Sequence, residues 1–127
     1  MQTEHVILKV IGGDAAGNLS ATVGAEALKQ IEHCQADKAF IGVNGIHFQE
    51  GITGIGYPQM EIKRAMIRRA KETYVLADSS KFGHVYLSHI CDIKEVTAIL
   101  TDNELDNIYK QKVQECQYSV IWGEKEE

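Results

Sequence analysis

Apolar positions follow two alternating rhythms along the chain: short β-branched runs, and longer stretches with helical spacing. His5–Ile11 is mostly apolar, ends at Gly12-Gly13 and predicts a buried strand. A loop over Asp14–Ser20 follows. Thr22–Cys34 repeats Val23, Ala27, Leu28, Ile31 and Cys34 at helical spacing, which predicts an amphipathic helix. Lys38–Val43 is a short apolar run of the kind found in central parallel strands. Asn44–Pro58 reads as a long, glycine-rich connection. Gln59–Glu72 places Ile62, Ala65, Met66 and Ala70 on one face and charges on the other, and predicts the clearest helix. Tyr74–Ala77 predicts a strand, Asp78–Gly83 a polar loop, and Val85–Cys91 a helical or irregular segment. Thr97–Leu100 predicts another strand. Thr101-Asp102-Asn103-Glu104 then fits a capping box. It would open a helix with the stripe Leu105, Ile108, Tyr109, Val113 and Cys116. Tyr118–Trp122 predicts a final strand, and Glu124–Glu127 a frayed, charged tail.

Strands and helices alternate throughout. That pattern predicts an α/β fold, a mostly parallel sheet with helices on both faces. At 127 residues the chain fits one domain, expected over 1–127. No stretch offers the paired short helices of a helix-turn-helix. The chain enters its first strand-like run almost at Met1, so it reads as a piece of a longer protein.

Composition narrows the function. Hydrophobic residues make up 44% and charged residues 24%, enough for a packed core. The formal net charge of -5 argues against a nucleic-acid-gripping surface, which needs a basic face. Cys34, Cys91 and Cys116 are widely spaced, with no Cys-x-x-Cys pair. Zinc and a disulfide framework are therefore not expected, and the three read as small buried hydrophobes in a reducing cytoplasm. No apolar run is long enough to span a membrane.

Candidate chemistry gathers at predicted strand ends, where ligands collect in α/β domains. Asp78-Ser79-Ser80-Lys81 follows the Tyr74–Ala77 run. Asp78 can accept hydrogen bonds from sugar hydroxyls, and Lys81 offers a mobile charge for a phosphate. The same residues also suit a simple turn. Asn44 and Gly45 leave the Lys38–Val43 run, where Gly45 would let the backbone approach a ligand or turn with positive φ, and Thr53 could hydrogen-bond it. Glu61 opens the next helix, where the macrodipole favours a carboxylate whether or not it acts on a ligand. Lys63, Arg64, Arg68, Arg69 and Lys71 read as a solvated or subunit-contacting helix face. The five histidines show no metalloprotease spacing, and no metal or other cofactor is expected.

The order of motifs is distinctive: Gly12-Gly13, Val23-Gly24, Ala39–Ile46, Glu50–Thr53, Glu61–Ile67, Leu76–Gly83 and Ile99–Asp102. Together they resemble the C-terminal effector-sensing domain of DeoR-family bacterial transcriptional repressors, over nearly the whole chain. The resemblance implies a fold similar to ribose-5-phosphate isomerase and coenzyme A transferases. It implies a cytoplasmic, homo-oligomeric, non-enzymatic sensor of a sugar phosphate or related metabolite. Binding there would control DNA through a separate N-terminal helix-turn-helix. Asn44, Gly45, Glu61, Asp78 and Lys81 match positions that face the ligand pocket in that wider group. Two features of the family lie outside the motifs present: the DNA-binding domain, and an early Asp-x-Gly-Thr-Thr-type phosphate loop. The isomerases' acidic pair is replaced by Asn44-Gly45, which leaves an isomerase-like enzyme with Glu61 as base as one alternative. An oligomerisation module with a vestigial pocket is the other.

Overall fold

The computed structural model describes residues 5–15 and 22–123. Its centre is a four-stranded, all-parallel sheet. It is built from β3 (Ala36–Gly42), β6 (Ala70–Leu76), β8 (Ala98–Thr101) and β9 (Val120–Trp122), in that order across the sheet. A second sheet is antiparallel and three-stranded: β4 (Gly45–His47), β5 (Gly51–Gly54) and β7 (Ser88–Cys91). A two-residue antiparallel pair, β1 (Asp14–Ala15) and β2 (Thr22–Val23), precedes helix α1 (Ala25–Glu32). Helix α2 (Tyr57–Arg69) connects β5 to β6, and α3 (Asn107–Cys116) connects β8 to β9.

The expected α/β class and parallel sheet are present. In-register residues of parallel neighbours share a sheet face. Ile41, Val75, Ile99 and Val120 therefore form one row, and all are buried. Met60 of α2, Val113 of α3, and Ile46, Ile52 and Ile90 of the antiparallel sheet complete the same core. The other face carries the row Gly42, Leu76, Leu100 and Ile121, with Phe40 stacked on Tyr74 beside it. Phe40 is 55% exposed, Leu76 46% and Ile121 59%. Within the described residues, the helices that reach the core do so from the first face only.

Several local expectations change. His5–Ile11 is not a strand: it joins no ladder among the described residues, and Val6, Ile7, Leu8 and Val10 are exposed. β-branched composition suits a strand only where a neighbour can supply the hydrogen bonds. The Asn44–Pro58 connection is mostly a hairpin, whose strands bury Ile46 and Ile52 completely. Val85–Cys91 contains β7 rather than a helical turn. Helix α2 stops at Arg69, not Glu72, because Ala70–Glu72 pair with Ala36–Lys38 in the sheet. Thr101 ends β8, so the expected capping box there is absent: α3 is capped by Asp106, which accepts a hydrogen bond from Ile108 N. A capping box does form, at Asp92 and Glu95 around the turn Ile93–Glu95. The start of the expected Asp14–Ser20 loop forms β1. Residues 16–20 of it and the Glu124–Glu127 tail lie outside the described residues.

Candidate functional site

The carboxyl ends of β3 and β6 lie side by side, since Gly42 pairs with Leu76. Asn44 follows β3. Its Oδ1 accepts from Ile55 N at 3.1 Å, and its own N–H donates to Thr53 O at 3.3 Å. Asn44 thus ties the entrance of the hairpin to its exit. Gly45 is buried and pairs with Thr53; its φ is not positive. A side chain there would overlap the His84 carbonyl oxygen and come within 2.9 Å of Thr53 Oγ1. Thr53 is buried, and its hydroxyl accepts from Tyr86 N at 2.9 Å. Gly45 and Thr53 fasten the 84–86 segment to the hairpin.

Asp78 follows β6 and caps the short turn Ser79–Lys81. Its Oδ1 accepts from Ser80 N at 2.9 Å and from the Ser80 hydroxyl. Asp102, after β8, holds the same turn: its Oδ2 accepts from Ser79 N at 2.9 Å and its Oδ1 from Glu104 N at 2.8 Å. These bonds favour the ionised carboxylates. The Ser80 hydroxyl and N–H hold Asp78 below its ordinary value, and the Ser79 and Glu104 N–H groups hold Asp102 below its own. Lys81 N donates to Asp78 O at 3.1 Å, and its half-buried side chain has no ion pair among the described residues. Buried Phe82 anchors the turn: it bridges to Ile46, and Gly83 N donates to Ile46 O at 2.8 Å. Phe48, Phe82, Tyr109 and Tyr118 pack ring against ring around this junction.

A cavity of about 610 Å³ opens beside Asn44. Thr22 and Val23 of β2 form one wall, and Ile55 and one face of α2 form another. That helical face runs Gly56, Gln59, Met60, Lys63 and Met66, the spacing of a single stripe. Gly56 supplies the helix N-cap at φ 87°, a left-handed conformation that favours glycine, and no side chain caps this end. Lys63 Nζ donates to Gly42 O at 2.5 Å, and burial pushes its ammonium below the usual lysine value.

The structure therefore separates the expected site residues. Asn44 lines the cavity, with Gly45 and Thr53 beneath it as scaffold. Asp78 and Lys81 stand at the neighbouring strand end but do not line the cavity. Glu61 turns the other way, into a small cleft with Leu28, Glu32, Arg64 and Arg68. The negative charge of the Glu61 carboxylate raises the Tyr57 phenol. Lys63 is the residue that sequence reading misplaced, grouping it with the solvated basic face. The signal was available, because Lys63 lies three and seven positions after Met60 and Gly56 on one stripe. Of the cysteines, only Cys91 is buried, and burial pushes its thiol up to about 12; Cys34 and Cys116 lie at or beyond helix ends and are exposed. No group of three or more potential metal ligands occurs among the described residues. No helix there is long and apolar enough to cross a membrane.

The family model of the DeoR C-terminal sensor domain matches residues 1–103. The chain is 36% identical over 112 residues to "Uncharacterized HTH-type transcriptional regulator FruR" of Bacillus subtilis, covering 86% of this chain and 44% of that protein. It is 29% identical over 117 residues to the transcriptional regulator IolR of the same species, covering 92% and 47%. A lactose phosphotransferase system repressor of Staphylococcus epidermidis is 28% identical over 113 residues, covering 89% and 44%. The chain spans about half the length of the curated relatives it matches. These relatives are named as regulators, not enzymes. With the match over most of its length and the parallel α/β sheet, the chain belongs to the DeoR C-terminal sensor domain family.

Proposed function

We propose that this domain senses a phosphorylated sugar or related small metabolite and thereby controls DNA binding by a separate N-terminal domain. The observation that carries this reading is the cavity at the carboxyl end of β3. It has the volume of a small-molecule site, an apolar floor of Met60 and Met66, and converging polar groups from Asn44, Gln59 and the open end of α2. Asn44 would contact the ligand directly. Asp78 and Lys81 would close over it from the adjacent strand end, with Gly45 and Thr53 holding the floor in place. Glu61, on the far side of α2, would influence the site through Tyr57 and Arg64 rather than by contact.

A carbohydrate-related ligand draws support from the Staphylococcus epidermidis relative, whose name ties it to a lactose phosphotransferase system. The mechanism is a population shift: a ligand that prefers one arrangement of the turn and hairpin stabilises that arrangement. We place the protein in the cytoplasm, where its DNA would be, and as a homo-oligomer. The test is a thermal-shift and calorimetric panel of sugar phosphates against this domain. A true ligand at a hundred times its Kd should add about 2.7 kcal/mol of stability. A flat response across the whole panel would defeat the reading.

A further inference from the structure

We propose that Lys63 is the anion-binding residue of the cavity: its ammonium leaves the Gly42 carbonyl to receive the oxyanion of a small effector, while Met60 and Met66 contact the effector's carbon skeleton. This rests on the sensing reading for the location of the site, but adds a residue and a ligand chemistry to it.

Three observations converge on Lys63. First, the ten described residues lining the cavity include no aspartate or glutamate, and Lys63 is the sole charged group among them. Second, among the described residues the Lys63 ammonium has no carboxylate partner; its recorded bond is to one neutral carbonyl, Gly42 O. Lys38 and Lys71, by contrast, face Glu72 and Asp37 on the surface. A half-buried cation satisfied by one carbonyl has donors left over and gains from an anion. Third, the uncapped end of α2 opens on the same cavity two turns away, and its free N–H groups favour negative charge at that wall. Burial also weakens the ammonium's hold on water, so an arriving anion competes with little solvation. Phosphate and carboxylate share this chemistry, since both present two or more oxygens to an ammonium.

The experiment uses the chain uniformly labelled with carbon-13 and nitrogen-15, and follows the Lys63 side-chain resonance by NMR, assigned by its loss in Lys63→Met. Inorganic phosphate, glucose 6-phosphate and gluconate are titrated in turn, with glucose as the neutral control. Lys63→Met removes the charge, Lys63→Arg restores it, and Lys81→Met serves as comparison; melting curves check that each variant is folded. The expected result is a saturable shift of the Lys63 resonance with at least one anion and none with glucose. Binding of that anion should weaken roughly tenfold to a hundredfold in Lys63→Met and recover in Lys63→Arg. A response to the phosphates alone identifies a phosphorylated effector, and a response to gluconate alone a carboxylate. If glucose 6-phosphate binds wild type and Lys63→Met equally, Lys63 is not the anchor although the sensing reading stands. If Lys63 responds to inorganic phosphate or gluconate while no sugar phosphate binds, the site stands and the sugar-phosphate reading falls. A Lys63 resonance unmoved by all three anions overturns the proposal.

Discussion

At the scale of single residues, the polar groups around the strand ends act mainly on the backbone. Asp78, Asp102, Thr53 and Asn44 are engaged with backbone N–H groups, and they fix where turns lie. Both aspartates are held below their ordinary value of 3.8, so their contribution is complete above that pH and is lost as pH falls through the lower folded values. Acid titration should therefore release the Ser79 and Ser80 amides before the core unfolds, visible as shifts of those amide resonances in NMR spectra while core resonances stay put. Asp102→Ala should produce the same loosening at neutral pH. Gly45 makes a different demand. Its backbone is ordinary, but the His84 carbonyl leaves no room for a methyl group. Gly45→Ala should cost about 1–3 kcal/mol in denaturant unfolding, and an unchanged midpoint would mean that the 84–86 segment moves aside freely. That Asn44 and Asp78 stand at strand-end turns was legible in their types and positions. The direction in which Glu61 and Lys63 point was not, because that depends on which helix face meets the sheet.

At the scale of elements, the sequence identified the parallel strands well and the antiparallel ones poorly. Ala39–Val43, Thr73–Val75 and Ala98–Ile99 are compact apolar runs, as buried parallel strands require. The 45–54 hairpin hides among glycines and one-turn polar residues, and its burial comes from packing that no local pattern records. Ala70-Lys71-Glu72 are good helix formers in isolation, yet pairing with β3 wins. The start of α3 gives a direct comparison of expected and observed caps. Asp106→Ala should destabilise the fold by about 1 kcal/mol through loss of the N-cap. Thr101→Val should be near neutral or slightly stabilising, because the Thr101 hydroxyl is buried with no partner among the described residues. Equal losses in the two variants would restore Thr101 as the cap. Paired denaturation curves decide the matter.

At the scale of the whole molecule, the described residues cover the sheet on one face and leave the other open. Parallel sheets in α/β proteins are ordinarily buried on both, and the open face here carries Phe40, Leu76 and Ile121. Ile121→Lys should leave the melting temperature nearly unchanged and, if the proposed oligomer forms across this face, should reduce self-association in light scattering. Ile41→Lys, one residue from Phe40 but on the covered face, should abolish the cooperative melt. If both variants melt alike, the assignment of the two faces is wrong.

Gly42 belongs to both sides of this sheet. Its Cα stands in the open row beside Leu76, with no atom near enough to touch an added side chain. Its carbonyl is the group that Lys63 holds next to the cavity. A single peptide unit thus lies in the exposed apolar row and meets a cavity-lining lysine. Thermodynamic reciprocity then applies: whatever factor a ligand imposes on association across that face, association imposes on the ligand's affinity. Ligand affinity measured at several protein concentrations should vary with concentration if the proposed oligomer and the proposed ligand site are coupled, and should stay constant if they are independent.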